Sequence, residues 1–163
     1  MNYFRVEQDK RYLHPPGIDQ FIDSYNRVDF SIERSGKVPD RNVVFSNSDY
    51  ELDDIDFLES PVILVSETVK DVFSMYERTL KFKTFCILNN LRRSHYTYYA
   101  PIFKKLDLHV GESLTDEAVF KIPYRSKEVV IIRLDVAESL LRRSVRGIKL
   151  TTVINWREYN SGK

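Results

Sequence analysis

The sequence predicts an α+β fold, with a mixed, mainly antiparallel sheet packed against two principal helices. Two stretches, 62–80 and 129–147, each change from an apolar run typical of a strand to the spacing of an amphipathic helix. Other short apolar stretches are separated only by turn residues, so they can pair as hairpins. Aromatic residues, which favour strands, make up 13% of the chain. Runs of strands with two separate helices fit an α+β fold better than a doubly wound α/β fold.

The composition indicates one domain spanning residues 1–163. Hydrophobic residues make up 42% and charged residues 30%, a balance typical of folded proteins and unlike that of disordered chains. The single cysteine, Cys86, excludes an internal disulfide, and its apolar neighbours predict a buried free thiol. The first residues lack the apolar core of a signal peptide, and no window approaches the roughly 18 apolar residues of a membrane span. We therefore expect a cytoplasmic protein.

The first part of the chain alternates short strand patterns with turns. Residues 3–8 predict a strand. Apolar residues at helical spacing predict a short helix over 18–25, and alternation over 27–32 predicts a second strand. Residues 42–45 predict a third strand, and an acidic loop follows it.

The first strand–helix unit begins after Pro61. Residues 62–65 predict a buried strand, and Ser66 is placed to cap the next helix. Apolar residues then recur at intervals of three and four positions, which predicts one buried stripe along a helix over 67–80. The stripe consists of Val69, Val72, Phe73, Tyr76 and Leu80.

Two further strands are predicted to pair with each other. Residues 81–88 are apolar on both faces, which fits an internal strand. Residues 96–103 return as a second strand, in which Pro101 marks an edge or the strand's end because it has no N–H to donate. Antiparallel pairing of these neighbours is the simplest topology. Residues 107–118 are polar and predict a loop.

The second strand–helix unit begins as a hairpin. Residues 119–123 and 128–134 flank a connection of hairpin length. A helix is predicted over 136–146, where Asp135 and Glu138 resemble a capping box.

The C-terminal end of the helix predicted over 136–146 is also indicated by local signals. Gly147 is suited to a left-handed helix cap. Residues 150–156 then predict a last strand, and a frayed tail is expected from Tyr159 onward. The expected buried stripe of the helix consists of Val136, Ala137, Leu140, Leu141 and Val145.

No sequence motif indicates catalysis. His14, His95 and His109 lie far apart in the chain and have no partner at a metal-ligand spacing, so we expect surface or turn histidines. With five glycines in all, the chain has no phosphate-binding loop of the Walker or Rossmann type. We therefore expect a protein that is not an enzyme and has no catalytic residue, cofactor or metal.

The charge distribution suggests a surface for a protein partner. Residues 1–60 hold 7 Lys and Arg against 13 Asp and Glu, whereas residues 61–163 hold 18 against 11. The acidic part is densest over 49–56, which is either a solvated loop or a contact surface for a basic partner. The candidate partner-binding residues are Asp49, Glu51, Asp53, Asp54 and Asp56.

Other functions stay open at this point. His95, His109 and Tyr99, with an aspartate, can form an active site from distant positions. Arginines and tyrosines over 92–99 are the residue types that bind nucleic acid, although such strands are more often simply sheet and the near-neutral total charge argues against it. The carboxylates over 53–56 can bind a hard cation, but the glycine and bidentate glutamate of a calcium loop are missing.

Several stretches together carry a family resemblance. They are YFRV at 3–6, Arg11 and Tyr12, Asp56, PVILVSETVKDV at 61–72, FKI at 120–122 and VVIIRLDVAESLLRR at 129–143. In this order they resemble a group of small bacterial proteins of unassigned biochemistry, many of which are described as immunity proteins of polymorphic toxin systems. The resemblance implies a non-enzymatic cytoplasmic protein that binds and neutralises a partner toxin. It implies no particular binding residues.

Overall fold

The structure, a computed structural model, describes residues 2–16, 30–49, 51–107 and 116–160. Along these residues the strands are Tyr3–Gln8 (β1), Arg41–Ser46 (β2), Phe57–Leu58 (β3), Leu64–Val65 (β4), Lys81–Asn89 (β5), Ser94–Ile102 (β6), Val119–Tyr124 (β7), Lys127–Arg133 (β8) and Ile148–Thr152 (β9). The α-helices are Glu67–Tyr76 (α1), Leu134–Arg142 (α2) and Arg157–Asn160 (α3), and a short 3-10 turn spans Ser35–Lys37. No helix in these ranges has the length and apolar character needed to cross a bilayer.

The strands form two sheets. The first has the order β7-β8-β1-β9, and all its pairs are antiparallel. The second has the order β2-β5-β6-β4-β3, in which β2 runs parallel to β5 and the other pairs are antiparallel. The predicted α+β class with mixed, mainly antiparallel pairing is confirmed. The division into two sheets is not visible in the sequence, because strand patterns do not specify partners.

Both predicted hairpins are present. Strands β5 and β6 pair from Lys81 opposite Ile102 to Asn89 opposite Ser94, and β5 is internal because β2 flanks its other edge. Strands β7 and β8 are joined by a two-residue turn, in which Arg125 has a φ of 53°. Cys86, predicted to be buried, is only half-buried.

Helix α1 begins as predicted but ends early. The Ser66 hydroxyl accepts a hydrogen bond from the Val69 amide at 3.3 Å, which confirms the cap. The helix stops at Tyr76 rather than near residue 80. The next residue, Glu77, leaves helical geometry, and its carboxylate accepts a hydrogen bond from the Ala118 amide at 2.6 Å. Leu80 nevertheless packs against the core, as the apolar stripe predicts.

Helix α2 differs from its prediction at both ends. It begins at Leu134 without a side-chain cap, so the capping role predicted for Asp135 and Glu138 is wrong. The Asp135 carboxylate instead accepts two hydrogen bonds from the Arg133 guanidinium, at 2.8 and 2.7 Å. The helix ends at Arg142, and Ser144 is the first residue after it with a positive φ, 54°.

Further differences occur outside the two principal helices. Residues 30–32 have 3-10, bend and turn conformations, so this part of the strand predicted over 27–32 is wrong. Residues 27–29 and the helix predicted over 18–25 lie outside the described residues. The strand predicted over 62–65 is limited to Leu64–Val65. The last strand ends at Thr152, and the following helix α3 buries Tyr159, contrary to the expected fraying there.

The core explains why both faces of the central strands are apolar. One cluster lies between the sheets and the first two helices, and includes Val6, Val72, Ile132 and Leu140. A second cluster covers the other face of the second sheet, around Phe85 and Ile87. A third covers the other face of the first sheet, with Tyr3, Phe120, Ile122, Val129, Ile131 and Tyr159.

Candidate functional site

The predicted acidic loop, here called the acidic segment (residues 49–56), has no regular secondary structure at its described residues, 49 and 51–56, but is held by several hydrogen bonds to other parts of the chain. Two of its apolar side chains are buried, Leu52 and Ile55. Near its middle, Asp53 and His14 exchange two hydrogen bonds: the Asp53 amide donates to the His14 carbonyl at 2.7 Å, and the His14 amide donates to the Asp53 carboxylate at 2.9 Å. The segment is therefore held against the chain that follows β1.

The end of the acidic segment is held by the loop that follows α2. The Asp56 amide donates to the Arg146 carbonyl at 2.8 Å, and the Arg146 amide donates to the Asp56 carboxylate at 2.5 Å. The Ser66 amide also donates to the Asp56 carbonyl at 2.9 Å. Asp56 thus links the acidic segment to both strand–helix units.

A buried tyrosine forms a hydrogen bond with the backbone of the acidic segment. The Tyr98 hydroxyl donates to the Ile55 carbonyl at 2.8 Å. Burial raises the pKa of Tyr98 well above its ordinary value, and the negative charges of Asp54 and Asp56 add to this. Tyr98 therefore stays protonated and keeps its hydrogen bond to the segment.

The five predicted partner-binding residues divide into two groups. Asp53 and Asp56 accept backbone hydrogen bonds and are half-buried. Asp49, Glu51 and Asp54 are exposed. The structure thus brings all five onto one anchored segment but presents only the second group fully to solvent.

The structure does not bring together the described residues that were proposed for a dispersed active site. His95 is exposed on β6, and Tyr99 is half-buried four positions further along the same strand, roughly 13 Å away at strand spacing. The Lys70 ammonium lies 4.5 Å from the centroid of the Tyr99 ring. His109 lies outside the described residues. His14 is exposed, as the sequence predicts.

The proposed nucleic-acid surface is only partly exposed. Arg92 and Arg93 are exposed at the turn between β5 and β6, and Arg92 donates to the Asp49 carbonyl at 3.2 Å. The Tyr98 ring belongs to the core, and Tyr96 packs against it. Those two rings are therefore engaged in packing rather than presented for base stacking.

In the described ranges, no three His, Cys, Asp or Glu side chains converge as a metal site would require.

A cleft between the sheets is the feature that sequence reasoning missed; we call it the basic cleft. It has a volume of about 970 Å³. Apolar side chains from both sheets line its interior, among them Phe57 of β3 and Val130 of β8. Seven basic and three acidic side chains line it as well, so its lining is positive. These ten are Lys10, Arg34, Lys104, Lys105, Lys121, Arg125, Lys127, Glu33, Glu59 and Glu128.

One carboxylate organises two of the lysines in the basic cleft. Glu128 pairs with Lys105 at 3.0 Å and with Lys121 at 2.6 Å. Burial acts to raise the pKa of Glu128, but hydrogen bonds from the two lysines outweigh it and hold that pKa below its ordinary value. The hydrogen bond to Glu128 raises the pKa of Lys105 in turn. Glu128 and Lys105 therefore remain charged at neutral pH.

The available sequence signals for the basic cleft are two short groups of cations. Lys104 and Lys105 follow β6, and Arg125 and Lys127 flank Ser126 at the turn between β7 and β8. The sequence pattern of the second group indicates only a hairpin connection. That the two groups face one cleft depends on how the sheets pack, which no local pattern specifies.

Comparison with known proteins adds no family to this description. The chain matches no protein-family model, and a search of curated proteins finds no match. The fold and the two surfaces define an α+β protein with an anchored acidic segment and a positive cleft.

Proposed function

We propose that this protein is a non-enzymatic protein-binding module of the cytoplasm, acting as an immunity protein that binds and neutralises a partner bacterial toxin. The observation that carries the proposal is the anchored acidic segment, which presents Asp49, Glu51 and Asp54 to solvent while its backbone is held by other parts of the chain. The family resemblance of the sequence supports the same proposal.

Preorganisation and charge both favour the binding of a partner by the acidic segment. A segment that is already fixed loses little conformational entropy when a partner binds. Exposed carboxylates speed the approach of a basic surface, and this steering weakens as salt screens the charges. The partner proposed here is a toxin with a basic surface that is blocked when the acidic segment covers it.

The direct test uses the product of the adjacent gene as the partner. We expect the two proteins to co-purify and expect this protein to protect cells from that product's toxicity. If neither co-purification nor protection is seen, the proposed immunity function is wrong for that partner pair.

A matched pair of triple variants tests the surface. In the first, Asp49→Asn, Glu51→Gln and Asp54→Asn remove the exposed charges but leave the anchoring carboxylates in place. The control, Glu67→Gln, Asp71→Asn and Glu138→Gln, removes the same charge from exposed positions on α1 and α2. We expect the first variant alone to slow association and reduce its salt dependence. Equal kinetics in both variants would exclude the acidic segment from the interface.

A further inference from the structure

We propose that the basic cleft binds a small amphipathic anion, a molecule with a carboxylate or phosphate head and an apolar body. This site is separate from the acidic segment and does not depend on the proposed immunity function. It is inferred from the cleft's volume, its apolar interior and the excess of cations along it.

The size and interior of the cleft suit a small molecule. Ligand pockets have volumes of roughly 300–1,000 Å³ and are mostly apolar, with a few polar groups that orient the ligand. The basic cleft, at about 970 Å³, falls in this range. Ile63 is half-buried inside it, and Ile32 lies in its lining with 57% of its surface exposed. An apolar ligand body would remove this surface from water, which favours binding.

The cations provide a place for the anionic head. Lys127 is exposed, and no carboxylate pairs with it among the described residues. Arg125, two positions earlier, sits with its guanidinium 5.2 Å from the Tyr124 ring centre. Arg125 belongs to the short turn between β7 and β8, and Lys127 is the first residue of β8, so their backbone positions are set by the hairpin. A carboxylate or phosphate at this part of the cleft meets two cations that can each donate a charge-assisted hydrogen bond.

The ion pairs of Glu128 keep further cations at the site. Because Lys105 and Lys121 both contact this carboxylate, their ammonium groups are held at Glu128 in the lining of the cleft. One carboxylate shared by two lysines leaves a net positive charge. The cleft is therefore complementary to an anion rather than to a neutral apolar molecule.

Binding can be measured with a fluorescent anion of the proposed class, 1-anilinonaphthalene-8-sulfonate, and with its uncharged analogue N-phenyl-1-naphthylamine. We expect saturable binding of the anion at one site per chain, and weaker binding of the analogue. Dodecanoate and dodecyl phosphate should both displace the probe, and their relative potency distinguishes a carboxylate from a phosphate ligand. Dodecanol and inorganic phosphate should displace it poorly, because each lacks one half of the proposed chemistry.

Variants locate the site. Arg125→Asn with Lys127→Gln removes two cations of the cleft, and asparagine tolerates the left-handed backbone at the first position. Arg142→Gln with Lys149→Gln is the control, because both residues are exposed and lie outside the cleft. We expect the Kd for the probe to rise about threefold or more in the first variant, as suits the loss of two charged contacts, and to stay unchanged in the control.

A third variant tests the apolar half of the proposal. Ile32→Ser changes an exposed side chain of the cleft, so it should weaken probe binding without affecting folding. Equal affinity for the charged and uncharged probes would overturn the proposal. So would equal weakening in the cleft variant and the control, or the absence of saturable binding. None of these outcomes bears on the toxin-protection experiment.

Discussion

Asp56 and Arg146 are 90 positions apart in the sequence and exchange two hydrogen bonds, one between backbone groups and one from the Arg146 amide to the Asp56 carboxylate. This pairing joins the acidic segment to the loop between α2 and β9. A residue that the charge pattern suggests for partner binding thus also holds the fold together.

The first prediction separates these two roles. Asp56→Ala should lower the free energy of unfolding by about 1–2 kcal/mol, because a backbone amide loses a charged acceptor. Asp54→Ala, at an exposed position two residues earlier, should change it by less than about 0.5 kcal/mol. Urea denaturation of both variants measures the difference. Equal stabilities would mean that the Asp56 carboxylate contributes nothing to the fold.

A second prediction concerns Gly147, which lies one residue after Arg146. Its φ is +75°, and a Cβ added there would lie 2.5 Å from the Cβ of Ile55. Gly147→Ala should therefore destabilise the protein by more than the roughly 1–2 kcal/mol that left-handed backbone alone costs a residue with a side chain. Gly36→Ala is the control, since an added Cβ at that position has no heavy atom within 4 Å. Thermal unfolding that is unchanged in both variants would contradict the close packing of Gly147 on Ile55.

Gly147 also shows how far local signals predict this fold. The sequence correctly indicates a left-handed backbone conformation at this position, because glycine adopts that conformation at the lowest energetic cost. The helix that it is predicted to cap ends at Arg142, four residues earlier than the predicted end at residue 146. The positive φ that follows α2 therefore belongs to Ser144, whereas Gly147 allows a close approach to Ile55. Hairpins such as β5–β6 can be predicted because their pairing is local. Contacts between distant segments produce no periodic pattern in the sequence, so they cannot be predicted in this way.

Helix α2 gives a third prediction, on which of two adjacent leucines lies in the core. The sequence assigns both Leu140 and Leu141 to the buried stripe, but Leu140 is fully buried and Leu141 is 65% exposed. Leu140→Ala should cost about 2–5 kcal/mol, because it leaves a cavity in the core. Leu141→Ala should change the free energy of unfolding by no more than about 0.5 kcal/mol. Chemical denaturation of the two variants provides the comparison, and similar losses in both would place Leu141 in the core after all.

The candidate sites show the same division between local and long-range information. The carboxylates of the acidic segment were identified from the sequence because they are adjacent in it. Their sorting into exposed Asp54 and anchoring Asp56 required the position of Arg146. The basic cleft was not predicted, because Lys10, Lys105 and Lys127 come together only when the two sheets pack.

A fourth prediction follows from the ion pairs of Glu128. Its pKa is lower in the folded chain than the ordinary 4.5, so the folded state releases its proton more readily than the unfolded state does. The stabilisation is therefore present above pH 4.5 and is lost as the pH falls through the lower, folded-state value. Glu128→Gln should flatten the dependence of unfolding free energy on pH in that acidic range, and Glu138→Gln, at an exposed position on α2, should not. Denaturant titrations across the range measure both, and equal slopes in the two variants would contradict a role for these ion pairs.

The last prediction concerns Tyr98 at the opposite end of the pH scale. Burial, with the nearby charges of Asp54 and Asp56, raises the folded-state pKa of its hydroxyl above the ordinary 10.0. The unfolded state therefore ionises first, and the stability that Tyr98 contributes is present below pH 10.0 and is lost as the pH rises above it.

Replacing the hydroxyl tests both this titration and the hydrogen bond to Ile55. Tyr98→Phe should lower the free energy of unfolding at neutral pH by about 0.5–1.5 kcal/mol, since the Ile55 carbonyl loses its buried donor. Above pH 10.0 the variant should lose stability less steeply than the parent protein, because phenylalanine does not ionise. Tyr96→Phe, at a half-buried position on the same strand, is the control. If Tyr98→Phe leaves both the neutral-pH stability and the alkaline slope unchanged, the hydroxyl does not support the acidic segment in the way the structure indicates.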